Sequence, residues 1–390
     1  MPPPLQPASP LVDAPVGAAS PASADVAVYR HPDEFPADVE ALFALGEAVS
    51  CELGSGWYRN YLKTVAKPAD ELFFHVLRRR GQAIAVLPIG VKRGRFGRQV
   101  EALGNYYTAF YAPVLHPEVD AAAFAVLLAD VKRRHAPMAS MRLQPMDPQA
   151  PGFRVLVEAA RAAGLLPFEF HCFGNWYLRN HVDWPTYLAQ RTSKMRSNIK
   201  RMDKKLAQDG GTVEIYSEPV DGRRAVDAFQ KVYSASWKND EPYPHFMPGL
   251  IATCAERGWM RLGVVWLRGQ PIAAQLWMVS HRKADIYKVA YDETFKDYSP
   301  GTVLTARLMQ HVIERDGVEE VDYLIGDDGY KKLWMSDRRT RSGVVIYNPR
   351  TVMGALGALR EIVGRALKPA LQRLKAMRST PNEAGADATP

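Results

Sequence analysis

What most constrains the fold of this chain is a change of period within one stretch. From Ile286 to Tyr291 bulky side chains alternate as in a strand, and Leu304, Leu308 and Val312 then recur at helical spacing. Glu320 to Ile325 returns to a short strand. Strand, helix, strand is a crossover unit, so a sheet carrying helices is expected. The chain enters the helix at Ser299-Pro300-Gly301. Serine is a favoured N-cap, and proline suits the first helical position, where its missing N–H costs nothing. A helix opening at Gly301 offers free N–H groups and the positive end of its dipole, with no side chain in the way. Such an end suits a phosphate, and it equally suits an ordinary capped helix. Gly326-Asp327-Asp328-Gly329 closes the second strand.

The same order of elements occurs twice. Glu71–Arg78 and Gln82–Lys92 form a hairpin, followed by a strand at 99–103, a helix at 121–134 and a strand at 139–143. Met260–Leu267 and Pro271–Val279 form a second hairpin ahead of the stretch above. The expectation is an α/β fold with mixed sheets, built from two alike units with flanking helices. A Pro/Ala/Ser-rich disordered tail is expected at 1–27, the units at 28–175 and 176–349, a basic amphipathic helix at 350–378 and a second disordered tail at 379–390. Between the units, Met195, Ile199, Met202 and Leu206 form a narrow apolar stripe on a basic helix. The aromatic run Tyr106 to Tyr111 could wall a pocket or pack at the join of the units.

Cys51, Cys172 and Cys254 are far apart and the nine histidines form no paired motif, so neither a disulfide frame nor a metal is expected. The longest apolar runs are too short to span a bilayer. The net charge of +8 is concentrated: Arg191–Lys205 and Arg350–Arg378 each carry seven Lys/Arg against one acid. Either segment could meet an anionic partner or be a solvated face. For 350–378 the partner could be a membrane surface.

Several features together resemble the GNAT-type acyltransferases, in the cellulose-biosynthesis-associated (CelD/BcsL-type) branch. They are the basic text Ser193–Arg201 (SKMRSNIKR), Tyr291-Asp292, the Lys296-Asp297-Tyr298-Ser299-Pro300-Gly301 loop, Gly326-Asp327, Tyr330-Lys331 and Trp334. In that family the loop holds the pyrophosphate of acyl-CoA, with arginine or glutamine and glycine where this chain has Lys296 and Ser299. The resemblance covers roughly Trp176 to Tyr347. It implies two tandem GNAT-like units, as in FemABX-type proteins, the first one degenerate. It further implies a cytoplasmic enzyme that moves an acyl group, acetyl in the first instance, from acyl-CoA to an amine or hydroxyl, without a metal. The acceptor would be a small molecule or glycan precursor: a sugar, an amino acid or an envelope precursor. An aminoacyl-tRNA donor of the FemABX kind and a non-catalytic accessory role in polysaccharide synthesis remain as alternatives; other nucleic acid is not expected.

On that reading Lys296, Ser299, Gly301, Thr302 and Lys331 would hold the donor. Trp237, Tyr243, His245, Tyr291 and Trp334 would meet the acceptor. A base is sought among carboxylates at strand ends, Asp292, Asp322 and Asp328, and Tyr330 could return a proton to the leaving thiolate. Asp292 and Asp328 could equally be turn residues.

Overall fold

The computed structural model describes residues 24–95, 97–238 and 241–378, with side chains as far as Leu367. Residues 1–23 of the first expected tail and the whole of the second, 379–390, lie outside the described residues, as do the side chains of 368–378 in the expected basic helix. Residues 24–27, expected in the first tail, are instead ordered within β1 (Ala24–Tyr29), paired antiparallel along the next strand.

The first half continues with α1 (Ala37–Glu47), α2 (Ser55–Thr64), the strands β2 (Glu71–Arg79), β3 (Gln82–Gly94), β4 (Gly97–Ala102) and β5 (Val114–Leu115), α3 (Ala121–Arg134), β6 (Met138–Met146), α4 (Pro151–Ala162) and β7 (Leu166–Arg179). The second half comprises α5 (Trp184–Ala189), α6 (Ser193–Gln208), β8 (Thr212–Tyr216), α7 (Gly222–Ser234), α8 (Phe246–Glu256), β9 (Met260–Leu267), β10 (Gln270–Ser280), β11 (Lys283–Tyr291), α9 (Pro300–Glu314), β12 (Glu320–Asp322), α10 (Lys331–Trp334), β13 (Asp337–Tyr347) and α11 (Val352–Arg378). The hairpins turn where the sequence places arginine-glycine pairs. Arg80 and Arg268 take positive φ, followed by Gly81 and Gly269, whose missing Cβ makes that conformation cheap.

The strands form one mixed sheet in the order β1-β2-β3-β4-β6-β13-β7-β12-β11-β10-β9-β8, with β5 against β3. The two halves mirror each other along it. Each has an antiparallel run ending in a parallel pair, β4 with β6 and β11 with β12, bridged by a helical crossover. Their last strands are exchanged: β13 pairs with β6 of the first half, and β7 pairs with β12 of the second. The two exchanged strands also pair with each other over the whole length of β13. The unit boundary expected between Asn175 and Trp176 therefore falls inside β7, and the halves are not beads on a string.

All three hydrophobic clusters draw on both halves, one of them through many residues of each. Trp57 and Tyr107 pack on Phe246, the latter stacked at 4.0 Å, and Phe74 and Met260 belong to the same cluster. The Tyr287 hydroxyl donates to the Tyr107 carbonyl across the join (2.9 Å). The α6 stripe is buried as its spacing requires, and the Asp203–Arg307 pair (2.9 Å) ties that helix to α9.

Candidate active site

β11 and β12 share only three register pairs, Lys283–Glu320, Ala284–Val321 and Asp285–Asp322, and then part. The sequence expects β12 to run to Ile325, but Leu324 (φ 54°) and Gly326 (φ 103°) turn left-handed and end it early. The freed Leu324 N–H is taken by the Asp322 carboxylate (2.7 Å), and the Tyr323 N–H by the Trp176 carbonyl (2.9 Å).

Two recesses open at the parting. The larger, a cleft of about 830 Å³, lies between the start of α6, the start of α9 and the end of β11; Lys194, Arg201, Gly301, Thr302 and Trp334 line it. The smaller, about 220 Å³, is lined by Tyr106 from the first half with Lys238, Lys288 and Lys331. Val289, Tyr323 and Tyr330 line both, so the recesses adjoin where the strands separate.

The start of α9 differs from a simple capped end. Ser299 takes a left-handed conformation (φ 45°) and gives no side-chain cap. Its carbonyl accepts from the N–H groups of Thr302 (2.9 Å) and Val303 (3.2 Å), leaving the Gly301 N–H without a bond among the described residues. A Cβ on Gly301 would stand 3.5 Å from Tyr291 Cδ1, ordinary contact, so the cleft reaches this backbone. The turn is held from behind. Gln275 Nε2 donates to the Gly301 carbonyl (3.1 Å) and to Thr305 Oγ1 (2.9 Å), and the Trp277 indole donates to Gln275 Oε1 (2.9 Å). A buried and fully bonded relay of this kind fixes a helix end in place.

Of the α6 cations, Arg196 folds back onto the Ala189 and Arg191 carbonyls, and Lys205 caps the Asp297 carbonyl (3.2 Å). Arg191 holds the Trp334 carbonyl (3.1 Å). Lys194 and Arg201 face the larger cleft, Arg201 bonded to the neighbouring Asn198 (3.1 Å).

The carboxylates expected to act as base are engaged elsewhere. Asp322 is fully buried among Arg339, Lys283 (3.7 Å) and Arg341 (3.6 Å), and Asn175 donates to it (2.5 Å). Burial alone would raise its pKa, but Lys283, Arg339 and Arg341 hold it at about 2, the wrong direction for a base at neutral pH. Asp292 caps the 3-10 turn after β11, accepting from Thr294 N (2.9 Å) and Oγ1 (2.7 Å). Asp328 is exposed and paired with Lys331 (3.2 Å). None of the three lines either recess.

Of the other residues expected at the site, Gly301, Thr302, Tyr291, Trp237, Tyr330 and Trp334 meet in the larger cleft, Trp237 tilted on Tyr291 at 4.7 Å. Lys331 lines the smaller recess, its ammonium donating to the Ile325 carbonyl. Lys296 and Ser299 line neither recess; Lys296 points to solvent, and Ser299 acts through its backbone. Tyr243 packs in the shared core and His245 is exposed at the start of α8. The aromatic run serves both ends weighed for it: Tyr107 packs at the join while Tyr106 lines the smaller recess.

Of the three lysines lining the smaller recess, sequence reasoning named Lys331 and missed Lys238 and Lys288. Lys288 is held by Glu241 (3.0 Å), which also accepts from the Tyr107 hydroxyl, and it lies over the Tyr106 ring (4.8 Å). A lysine inside the otherwise uncharged run Ile286–Tyr291 was the available signal. Lys238 sits beside the Tyr233 and Trp237 rings. Burial, and then the charge of Lys288, lower its pKa to about 8. Burial and then Asp328 push the Tyr330 phenol up to about 12. Among the described residues no group of His, Cys, Asp or Glu could hold a metal, and no helix is long and apolar enough to cross a membrane.

Residues 193–332 match the family model described as an acetyltransferase (GNAT) domain. No curated protein matches the chain in sequence. Among solved structures, FemX is similar at 12% identity and a TM-score of 0.56, over 78% of this chain and 93% of that one. The C-terminal domain (DUF2156) of a putative lysylphosphatidylglycerol synthetase from Agrobacterium fabrum is similar at 16% identity and a TM-score of 0.50, over 85% and 97%. A conserved protein of unknown function from Bacteroides thetaiotaomicron VPI-5482 reaches a TM-score of 0.51 at 11% identity, over 80% and 97%. At such identities the likeness concerns the fold. The chain is thus a mixed α/β protein of two alike halves, and residues 193–332 of the second half match the acetyltransferase (GNAT) domain model.

Proposed function

We propose that this protein is an acyltransferase that takes an acyl group, acetyl in the first instance, from acyl-CoA in the larger cleft and gives it to an amine or hydroxyl in the smaller recess. The observation that carries this reading is the meeting of the two recesses at the parting of β11 and β12, at Val289, Tyr323 and Tyr330. Two reactants brought to one gap from two openings react as if at very high local concentration. Lys194, Arg201 and the Gly301 backbone meet the phosphates of the donor. The acceptor's lone pair attacks the thioester carbonyl; the new C–N or C–O bond forms and the C–S bond breaks. Lys238, in its neutral form, takes the acceptor's proton, and the Tyr330 hydroxyl protonates the departing thiolate. The CelD/BcsL-type resemblance puts the acceptor among sugars, amino acids or envelope and exopolysaccharide precursors, and the donor puts the reaction in the cytoplasm.

The test is calorimetric titration with acetyl-CoA. Gly301→Glu places a carboxylate where the phosphate would sit, at a position with room for it, and is expected to abolish binding with the fold intact. Unchanged affinity would remove the donor site.

One observation favours a second donor. Two N–H groups at the start of α9 are already bonded to Ser299, while Lys200 and Lys204 lie exposed on α6 without an ion pair among the described residues. An aminoacyl-tRNA would use such a surface. Retention of tRNA that falls steeply with salt, and is lost in Lys200→Glu/Lys204→Glu, would select it.

A further inference from the structure

The last helix, α11, is docked with the opposite face from that of an ordinary surface helix. Its sheet-facing side consists of Gly354, Gly357 and Ala358. A Cβ on Gly354 would stand 2.1 Å from the Asn348 carbonyl oxygen and 2.7 Å from that of Ala139, and one on Gly357 would stand 2.3 Å from Tyr347 Cε1. The backbone therefore rests directly on β6 and β13, and turning the helix to bury larger side chains there is blocked. Arg365 pins it further, donating to the Glu169 carbonyl and lying 5.2 Å over the Phe168 ring.

The larger apolar side chains are thereby left exposed, Leu356 and Met353 also bordering a recess of about 410 Å³ against β4, β6 and β13. Val352, Leu356, Leu359, Val363 and Leu367 recur at i, i+4, i+7, i+11 and i+15 and are 45–77% exposed, with Met353 and Ile362 widening the stripe. A helix in water ordinarily turns such a face to the core, and contiguous exposed apolar surface of this kind marks an interaction site. The segment that carries it is strongly cationic. Arg350–Arg378 holds seven Lys/Arg and the single acid Glu361, itself 3.5 Å from Arg365.

We infer that α11 lies on an anionic lipid surface, with its leucine stripe among the acyl chains and the net positive charge of the segment drawn to the headgroups. A second copy fits less well. Pairing two such stripes would bring like charges together with one acid per helix to offset them, and the apolar arc is wider than a coiled-coil seam. This site lies apart from both recesses, so the inference stands whatever the donor.

The experiment is flotation of the full chain with phosphatidylcholine vesicles and with vesicles that also contain phosphatidylglycerol. The chain is expected to float with the anionic vesicles and to be released by salt. Leu356→Glu/Leu359→Glu/Val363→Glu is expected to weaken partition at least about tenfold with an unchanged melting temperature. If the triple variant melts early, Leu359→Glu alone, at a half-exposed position, carries the test. Failure to float, equal recovery on both vesicles, or unchanged flotation of a folded variant would overturn the inference. So would a lipid-free dimer that the same substitutions turn into monomer.

Discussion

The two halves begin their crossover helices in opposite ways. In the first half α3 starts at Asp120, whose carboxylate accepts from the Ala123 N–H (2.7 Å), so the positive end of the helix is already occupied by an anion of the chain itself. In the second half α9 starts at Ser299 with no side-chain cap, and the cleft opens against Gly301. The sheets differ likewise. β4 and β6 stay paired over four positions, whereas β11 and β12 part after three and leave a gap lined by tyrosines and lysines. One scaffold built twice thus leaves one crossover-helix start open to a cleft, and the first half contributes Tyr106 and a packing surface instead.

The largest expected effect tests the gap. Lys238→Met should lower the turnover of acetyl-CoA with amine acceptors by about a hundredfold or more. A lysine titrating near 8 acts only once deprotonated, so the wild-type rate should climb through about pH 8 and level above it. The variant should show no such rise, and an identical profile would remove Lys238 from the proton path.

Next, Ser299→Asp gives α9 the carboxylate that α3 possesses. Donor affinity by calorimetry should fall about thirtyfold. Equal affinity would mean that the contrast between the two helix starts has no bearing on binding.

Acid should separate the halves more gently. His75 and His135 are buried side by side in the first half, 2.9 Å apart. Burial, and then the charge of His135, push His75 down to about 3, so it is neutral when folded. A lowered histidine contributes stability that is whole above its ordinary value of 6.5 and is lost as pH falls from there towards 3, at about 1.4 kcal/mol per pH unit. Asp322, held at about 2, contributes above 3.8 and is lost only as pH falls from there to 2. Hydrogen exchange at about pH 5 should therefore quicken first around β2 and α3, and uniform quickening would contradict this.

The smallest effect is the reciprocal one. Asp120→Ala should cost about 1 kcal/mol in a denaturant titration and leave acetyl-CoA affinity untouched.

Much of this was legible in local pattern. The hairpins, α3 and the buried stripe of α6 follow from spacing that neighbouring residues settle among themselves. What was not legible depends on residues far away in the chain. Asp322 reads as a strand-end carboxylate, yet Lys283, Arg339 and Arg341 converge on it from two other strands. The left-handed turns at Ser299 and Leu324 sit at residues that rarely adopt them, so composition gave no sign of where β12 stops or why α9 lacks its cap. The reach of β7 to Arg179 likewise depends on β12 and β13 lying alongside it.

The exchange of last strands bears on how the chain is made. During synthesis β6 leaves the ribosome long before β13, its lasting neighbour, and until then it has one unpaired edge. The N-terminal portion cannot seal itself and wait; it is completed only when the C-terminal portion arrives, and it completes that portion in return. A truncated or stalled product would thus carry a sticky margin at β6.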